Sequence, residues 1–288
     1  MAPRLSGDYG EPVTRASFSA LMELGTVLGS YRDALVLVGG WVPYFLLEDN
    51  RGPDSDFRHV GSIDIDFAVD PEIVDSAGYA EIVELMRERG YSQRKAENGQ
   101  PILFSYGKML GSPVDGREYS IQVDFLTMAG TGTAGRHRHR KVQPGLPARI
   151  VPGCELAFSH NYKRKIRGEL PDDGETVLDI RLLDIPGCIG MKGIVLGERY
   201  KEKDAYDIFA VVSRRLENPG MVGRKVRPFA EEAGMKKGLD KISEKFRDQR
   251  ADGPNWVAAF MSMDAEERKR INAEAGLRPF QWTLETAT

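Results

Sequence analysis

The chain has 288 residues, of which 41% are hydrophobic and 29% charged, with a formal net charge of −3 and a pI near 5.9. This composition is that of a globular protein. It excludes a collagen-like or low-complexity chain and a uniformly basic nucleic-acid coat, but allows a local basic patch. No apolar run approaches the roughly 20 residues that a membrane-spanning helix needs, and the N-terminus lacks the apolar core of a secretion signal. Because Cys154 and Cys188 are too few for a disulfide framework, we expect a cytoplasmic protein with two buried free thiols and no membrane partner.

The spacing of apolar residues divides the chain into strand-like and helix-like segments. Alternating apolar residues, or short apolar runs, predict strands at 34–40, 59–70, 101–107, 118–127, 149–161 and 162–170. Apolar residues at helical spacing predict helices from Arg15, at 41–49 and 78–90, and at 185–198, 202–215, 219–233, 237–247 and 255–275. We expect segments 101–107 and 118–127 to be antiparallel neighbours, and the Gly- and base-rich segment 129–145 to be a loop.

This order of elements predicts an α+β fold. The N-terminal part is expected to hold a mixed sheet with flanking helices, and the C-terminal part is expected to be all helical. Because the pattern changes near residue 180, we predict one domain over residues 1–180 and a helical domain over 181–288.

Two acidic residues, Asp64 and Asp66, alternate with apolar residues in the strand-like segment 59–70. Side chains two residues apart on a strand share a face and lie about 6.7 Å apart along the backbone. Two carboxylates placed so repel each other unless a cation lies between them, and acidic residues have poor strand propensity. The pair therefore indicates a divalent metal site. The alternative is that both side chains simply occupy the solvent face of an edge strand.

A third acid, Asp124, has a matching setting between Val123 and Phe125. If segment 118–127 pairs beside the Asp64 strand, Asp124 lies about 5 Å across the ladder. Converging carboxylates hold Mg²⁺ together with phosphates and water, and two such ions stabilise the attacking and leaving oxygens of phosphoryl-group displacement. The three acids thus predict metal-dependent phosphoryl chemistry in which Asp124 draws the proton from the attacking hydroxyl.

Gly39 and Gly40 stand between a predicted strand and a predicted helix. Glycines at such a turn let backbone amides approach a phosphate closely, and the helix N-terminus adds a favourable dipole. A tight turn without a ligand would need the same residues. The glycine pair indicates a phosphate-binding turn more strongly because it precedes Ser62 and the two acids in the chain.

This order resembles the nucleotidyltransferase superfamily typified by DNA polymerase β, in which a Gly-Gly or Gly-Ser turn precedes Asp-x-Asp and a third Asp. It is more closely similar to the AbiEii/MenT-type branch, which includes toxins of bacterial toxin–antitoxin systems and whose first motif looks like Gly39-Gly40 followed by Ser62-x-Asp64-x-Asp66. The resemblance covers about residues 34–215. The chain departs from the branch at Val60, where an Arg is often found, and in its long segment between Gly40 and Asp64.

The second signature of that branch is helical. Its pattern of Lys, Arg seven residues on, and two Asp is similar to Lys192, Arg199, Asp204 and Asp207. On one helix, Lys192 and Arg199 share a face, and a basic side chain near a triphosphate offsets charge as pyrophosphate leaves. The two Asp could orient Lys192 or contact the nucleotide. The alternative is a solvated helix laced with ion pairs.

The resemblance implies a Mg²⁺-dependent enzyme that moves NMP from an NTP to a hydroxyl and releases pyrophosphate. It implies two Mg²⁺ ions, NTP as substrate, a tRNA 3′ end as acceptor and a cognate antitoxin as partner. We expect Asp64, Asp66 and Asp124 to bind the metal, and these three and Lys192 to be catalytic. Nucleotide contacts are expected from Gly39, Gly40, Ser62, Lys192, Arg199, Asp204 and Asp207.

The residues leave other functions open. The same site would suit a protein or antibiotic hydroxyl as acceptor, or a metal-dependent phosphohydrolase or nuclease, which would not need the glycine turn or Lys192. A catalytically inert fold that binds RNA or protein is a third alternative. Two basic segments, RHRHRK (136–141) and YKRKIRG (162–168), are candidates for contact with an RNA backbone, although most charge runs are merely solvated.

Overall fold

The computed structural model describes residues 5–49, 57–74, 81–130, 138–171, 174–214 and 219–287. The chain forms two compact units. The sheet unit comprises Glu11–Trp41 and Ser62–Leu183, and the helical unit comprises Met1–Gly10, Val42–Gly61 and Asp184–Thr288. The division into domains 1–180 and 181–288 stays a prediction, because a compact unit need not be a domain that folds alone.

The sheet unit contains nine described strands: β1 (Leu35–Val38), β2 (Asp64–Val69), β3 (Ser92–Lys95), β4 (Pro101–Gly111), β5 (Glu118–Thr127), β6 (His139–Gln143), β7 (Leu146–Ile150), β8 (Asn161–Leu170) and β9 (Gly174–Leu183). Their order is β3-β4-β5-β2-β1-β9-β8, with β7 beside β5 and β6 beside β7. Strand β2 pairs parallel with β5 and antiparallel with β1. The expected mixed sheet and the antiparallel pairing of β4 with β5 are therefore confirmed.

The described helices are α1 (Glu11–Val27), α2 (Trp41–Glu48), α3 (Pro71–Val74), α4 (Ile82–Glu88), α5 (Leu156–Ser159), α6 (Ile185–Glu198), α7 (Glu202–Arg214), α8 (Pro219–Val226), α9 (Ala233–Lys245), α10 (Asp252–Met261) and α11 (Ala265–Ala287). Helix α1 packs on β8, β9 and β5 of the sheet unit. The α+β class, with helices flanking a mixed sheet, is confirmed. Within the described residues, no helix is both long enough and apolar enough to cross a bilayer.

Alternation along the strands creates the core of the sheet unit. In β5, Ile121, Val123 and Phe125 are buried, whereas Gln122 and Asp124 between them are half-buried. Strand β2 shows the same pattern at its start. One side of these two strands is therefore apolar core, and the other side carries the polar residues. The expected free thiols, Cys154 and Cys188, are both buried.

Helices α6 and α9 approach closely within the helical unit because both carry glycines at the contact. A Cβ atom at Gly193 would overlap the backbone of Gly238, and one at Gly238 would overlap the backbone of Gly190. Helix α6 begins where expected, since the Asp184 carboxylate accepts a hydrogen bond of 2.9 Å from the Gly187 amide.

Several sequence-based boundaries are wrong. The segment 255–275 forms two helices, α10 and α11, separated at residues 262–264. The expected loop 129–145 contains strand β6, although residues 131–137 lie outside the described part. The expected strand 149–161 is mostly not extended, since it includes α5. These errors share a cause, because short elements at a sheet edge or a helix break depend on contacts that local periodicity does not encode.

Candidate active site

The three acids predicted to bind metal lie in the sheet unit on adjacent strands. Asp66 of β2 lies directly beside Asp124 of β5 in the parallel pairing, and Asp64 lies beside Gln122. Neighbouring strands are about 4.8 Å apart, and paired residues project to the same side. Since Asp64 and Asp66 are two residues apart on β2, all three carboxylates leave the sheet on one face.

Hydrogen bonds fix the carboxylate of Asp124. Its Oδ1 accepts from the Ser105 hydroxyl at 2.5 Å, and its Oδ2 accepts from the Gln122 amide at 2.8 Å. The Arg94 guanidinium donates in turn to the Ser105 hydroxyl at 3.2 Å. Burial raises the pKa of Asp124, the two hydrogen bonds oppose the shift, and the negative charge of Asp64 adds to it. The face therefore concentrates negative charge that a cation would stabilise.

Gly39 places the turn after β1 against the carboxylate of Asp66. Its φ of 73° lies in the left-handed region, and a Cβ atom there would overlap the Asp66 carboxylate. Only glycine meets both conditions without strain. Gly40 and Ser62 are also buried in this unit. That Gly39, Gly40 and Ser62 hold a triphosphate stays a prediction.

The carboxylates of Asp64, Asp66 and Asp124 fit a Mg²⁺ ion only if other ligands complete its coordination. Among the residues that the structure describes, no group of three or more His, Cys, Asp and Glu side chains is arranged to hold a metal ion by itself. Mg²⁺, however, is usually bound by one or two carboxylates and completes its octahedron with water and substrate phosphates. Asp66, Asp124 and Asp64 supply hard oxygen donors of this kind. They fit a site that the substrate completes, and the number of ions stays a prediction.

The residues of the second signature come together in the helical unit. Lys192 of α6 donates to Asp207 at 2.5 Å and to Asp204 at 3.2 Å. Arg199 binds Asp204 with two nitrogens, at 2.8 and 3.2 Å. The two Asp are thus in contact with Lys192, and their predicted contact with a nucleotide stays a prediction. Arg199 differs from the other three in that its side chain is 53% exposed.

His59 and Lys203 also belong to this cluster. Lys203 is the basic residue that directly precedes Asp204 in the second signature, whereas sequence reasoning missed His59. The Asp207 carboxylate lies 3.0 Å from His59 Nε2 and 2.8 Å from the Lys203 ammonium. The Gly61 amide donates to His59 Nδ1 at 3.1 Å, which leaves the ring proton on Nε2, facing Asp207. His59 and Asp207 are 148 residues apart in the chain, so no local sequence pattern predicts their contact.

Charge pairing keeps this cluster ionic although it is buried. Burial favours neutral forms of Asp207 and Lys192, but their mutual attraction outweighs it, lowering the pKa of Asp207 and raising that of Lys192. Burial lowers the pKa of His59 from 6.5 to about 4, against the opposing effect of Asp207. His59 is therefore neutral at pH 7 and serves Asp207 as a hydrogen-bond donor.

The predicted site residues thus form two groups, one in each compact unit. The sheet unit holds Gly39, Gly40, Ser62, Asp64, Asp66 and Asp124, and the helical unit holds Lys192, Arg199, Asp204 and Asp207. The catalytic and nucleotide-binding roles assigned to them stay predictions.

The chain matches no protein-family model and no curated protein. Its fold is similar to that of an antigenic nucleotidyltransferase-like protein from Paracoccidioides brasiliensis, with 12% identity, a TM-score of 0.45, and coverage of 88% of this chain and 98% of that one. It is also similar to JHP933 from Helicobacter pylori, with 10% identity, a TM-score of 0.43, and coverage of 96% and 94%. Likenesses of this size carry no argument about function, which is inferred from the chain's own residues.

Proposed function

We propose that the protein is a Mg²⁺-dependent nucleotidyltransferase, which moves NMP from an NTP to a hydroxyl and releases pyrophosphate. The observation that carries the proposal is the register of β2 with β5. It sets Asp66 beside Asp124, with Asp64 on the same face. A sheet gains no stability from acids placed together, whereas a phosphoryl-transfer site requires them.

Asp64, Asp66 and Asp124 are the residues that would hold Mg²⁺, which supplies positive charge to the phosphates of the NTP. Asp124 also accepts the proton of the attacking hydroxyl, a role supported by the two hydrogen bonds that hold its carboxylate in place. The turn at Gly39 and Gly40 binds the triphosphate through backbone amides. The acceptor oxygen forms a bond to the α-phosphorus while the bond from that phosphorus to the oxygen bridging the α- and β-phosphates breaks, and pyrophosphate leaves with that oxygen.

The finer parts of the proposal come from the motif resemblance. They are a tRNA 3′ end as acceptor, arrest of growth as the outcome and an antitoxin as partner. Inducing the protein in a bacterial host tests the growth effect directly, with the Asp64→Asn variant as control. Arrest by the wild type alone supports the toxin role, whereas normal growth with both proteins contradicts it.

Transfer of label from α-labelled NTPs tests the activity. The purified protein is incubated with each NTP, Mg²⁺ and total RNA, and in parallel with protein or small hydroxyl acceptors. We expect labelled RNA and released pyrophosphate, both lost in Asp66→Asn. The matched control is Glu118→Gln, which removes an exposed carboxylate at the start of the neighbouring strand β5 and is expected to leave transfer unchanged.

Each other outcome favours another function. Cleaved RNA or free phosphate without NTP consumption favours a nuclease or phosphohydrolase that uses the same acids. Label on protein or on a small molecule shows that the acceptor is not RNA, while the nucleotidyltransferase reaction itself is supported. No transfer to any acceptor, with Asp66→Asn indistinguishable from wild type, contradicts the enzyme altogether.

A further inference from the structure

Aromatic and cationic side chains of β4 and of the β6–β7 hairpin lie together on the protein surface. We call this region the hairpin surface; it is formed by Phe104, His139, Lys141 and Arg149. The rings of Phe104 and His139 are stacked, with centroids 5.5 Å apart and an interplanar angle of 27°. The Arg149 guanidinium lies 5.6 Å from the Phe104 ring centroid. His139 pairs with Arg149 and Lys141 pairs with Pro147 across the hairpin, so the cations share one side of it.

In the part of the chain that the structure describes, ion pairs do not neutralise the positive charge of this surface. Among the described residues, no carboxylate forms an ion pair with Lys141 or Arg149, and both side chains are exposed. The segment 138–151 contains no acidic residue. An uncompensated cluster of cations beside an aromatic ring is characteristic of contacts with nucleic-acid backbones and bases.

The second basic segment of the sequence, on β8, behaves differently. Lys163 forms an ion pair with Asp33 at 3.0 Å, and Lys165 lies opposite Asp179 in the pairing of β8 with β9. One cation of this segment is therefore paired with a carboxylate, whereas no ion pair among the described residues holds Lys165 or Arg167. The hairpin is favoured as the segment that binds a nucleic acid because its cations lie beside the stacked rings of Phe104 and His139.

The hairpin surface lies beside the three acids within the sheet unit. Arg149 pairs with Leu126 of β5, which is two residues beyond Asp124 and so on the same face. Two residues along a strand and one strand across place the backbones of Arg149 and Asp124 about 8 Å apart. A strand of nucleic acid on the hairpin can therefore bring its terminal hydroxyl to the acids.

We propose that the hairpin surface binds the acceptor as a single-stranded nucleic acid. One base stacks on the Phe104, His139 and Arg149 cluster, and the backbone phosphates contact Lys141 and Arg149. This deepens the proposed function, on which it rests for the identity of the bound strand as acceptor. Binding itself is independent of catalysis and needs neither NTP nor Mg²⁺.

Fluorescence anisotropy with a short labelled single-stranded RNA, and with the DNA of the same sequence, tests the proposal without NTP or Mg²⁺. We expect the double variant Lys141→Ala/Arg149→Ala to bind at least about tenfold more weakly. Each phosphate contact that it removes lowers the slope of log affinity against log salt by about 0.7. Phe104→Leu keeps an apolar side chain but removes the stacking ring, so we expect about fivefold to 150-fold weaker binding with an unchanged salt slope.

The matched control is Lys165→Ala/Arg167→Ala, which removes the same charge from exposed positions of β8. We expect its affinity to stay within about twofold of wild type, since its salt slope should not change. Equal weakening by both double variants, or wild-type binding by the hairpin variants, overturns the proposal. The proposal is also overturned if oligoglutamate of equal charge displaces the bound nucleic acid, because the surface would then be a site for an acidic protein. Thermal unfolding confirms that each variant is folded.

Two further measurements distinguish a failure of the binding surface from a failure of the proposed enzyme activity. The Asp64→Asn variant is expected to bind the strand as wild type does while losing label transfer. If no label transfer is found but binding still depends on the hairpin surface, the nucleotidyltransferase fails and the binding surface stands. If transfer to RNA is found but is unaffected by the hairpin variants at limiting RNA, the binding surface fails and the enzyme stands.

Discussion

Asp66 and Asp124 are direct neighbours across two parallel strands although 58 residues separate them in the chain. The carboxylate of one is in contact with the turn at Gly39, and the carboxylate of the other is held by two hydrogen bonds. Both carboxylates leave the sheet on one face, where Asp64 adds a third negative charge. The relationship is costly for folding and useful for binding a cation, and for this reason it is the basis of the proposed function.

The turn at Gly39 should be intolerant of any side chain. In Gly39→Ala the new Cβ would overlap the Asp66 carboxylate and also impose left-handed strain of about 1–2 kcal/mol. We expect label transfer to be lost and stability to fall by more than the strain alone.

Gly99→Ala provides the matched control for that change. Gly99 has a similar φ of 79° but open space where the Cβ would lie. Its variant should lose only the strain energy and keep full transfer activity. Chemical denaturation and label transfer measure both effects, and equal behaviour of the two variants would contradict the role of Gly39.

Ser105 should act on the reaction through Asp124. Ser105→Ala removes the 2.5 Å hydrogen bond and disconnects Arg94 from the site. Loss of a residue that orients a metal ligand costs about 10–100-fold in activity or metal affinity. We expect a decrease of this size in kcat for transfer, with the KM for NTP changing less. Ser120→Ala, at an exposed position of β5, the strand that carries Asp124, should change neither, and a decrease in both variants would argue for a merely structural effect.

The Asp207 carboxylate should be the most important single charge for the stability of the helical unit. Asp207→Asn leaves the buried ammoniums of Lys192 and Lys203 without their shared partner. Breaking a buried ion pair costs about 3–5 kcal/mol. Urea denaturation should show this loss, whereas Glu231→Gln, which breaks an exposed pair with Lys236, should cost less than about 1 kcal/mol. A small loss in Asp207→Asn would show that the cluster is not charged.

His59 should make the protein less stable in mild acid. Its pKa is about 4 in the folded protein and 6.5 in the unfolded chain, so the unfolded chain takes up the proton first as the pH falls. Its contribution to stability is complete above pH 6.5 and is lost towards pH 4, by up to about 3 kcal/mol. The lowered pKa of Asp207 contributes a loss only below its ordinary value of 3.8.

A comparison with His59→Gln isolates this effect. Glutamine keeps a hydrogen-bond donor for Asp207 but does not titrate in this range. The free energies of unfolding of the two proteins, measured between pH 7 and pH 4, should therefore converge as the pH falls. Parallel curves would contradict the neutral, buried state of His59.

Much of the sheet and of the acid trio could be predicted from sequence because the signals are local. The alternation in β2 and β5 assigns Asp64, Asp66 and Asp124 to the polar side, and the glycine pair marks the turn after β1. The parallel register that sets Asp66 beside Asp124 is a tertiary property. The sequence indicates only that the acids would meet if the two strands pair, and it specifies neither their direction nor their register.

The partners of these residues could not be predicted. Ser105 looks like any small residue in an apolar strand, and its contact with Asp124 depends on the register of β4 with β5. His59 stands in a segment without periodicity, and its partner is 148 residues away. Strand β6 was missed because its sequence is basic rather than apolar, and its pairing with β7 stabilises it instead.

Calorimetric titration with a nonhydrolysable NTP analogue, with and without Mg²⁺, tests the central claim most directly. In the wild type we expect binding that strengthens at least about tenfold when Mg²⁺ is present, since the ion joins the phosphates to the acids. In Asp66→Asn this dependence on Mg²⁺ should disappear, while Glu118→Gln should retain it. Binding that is the same with and without Mg²⁺, and the same in wild type and Asp66→Asn, would contradict the account.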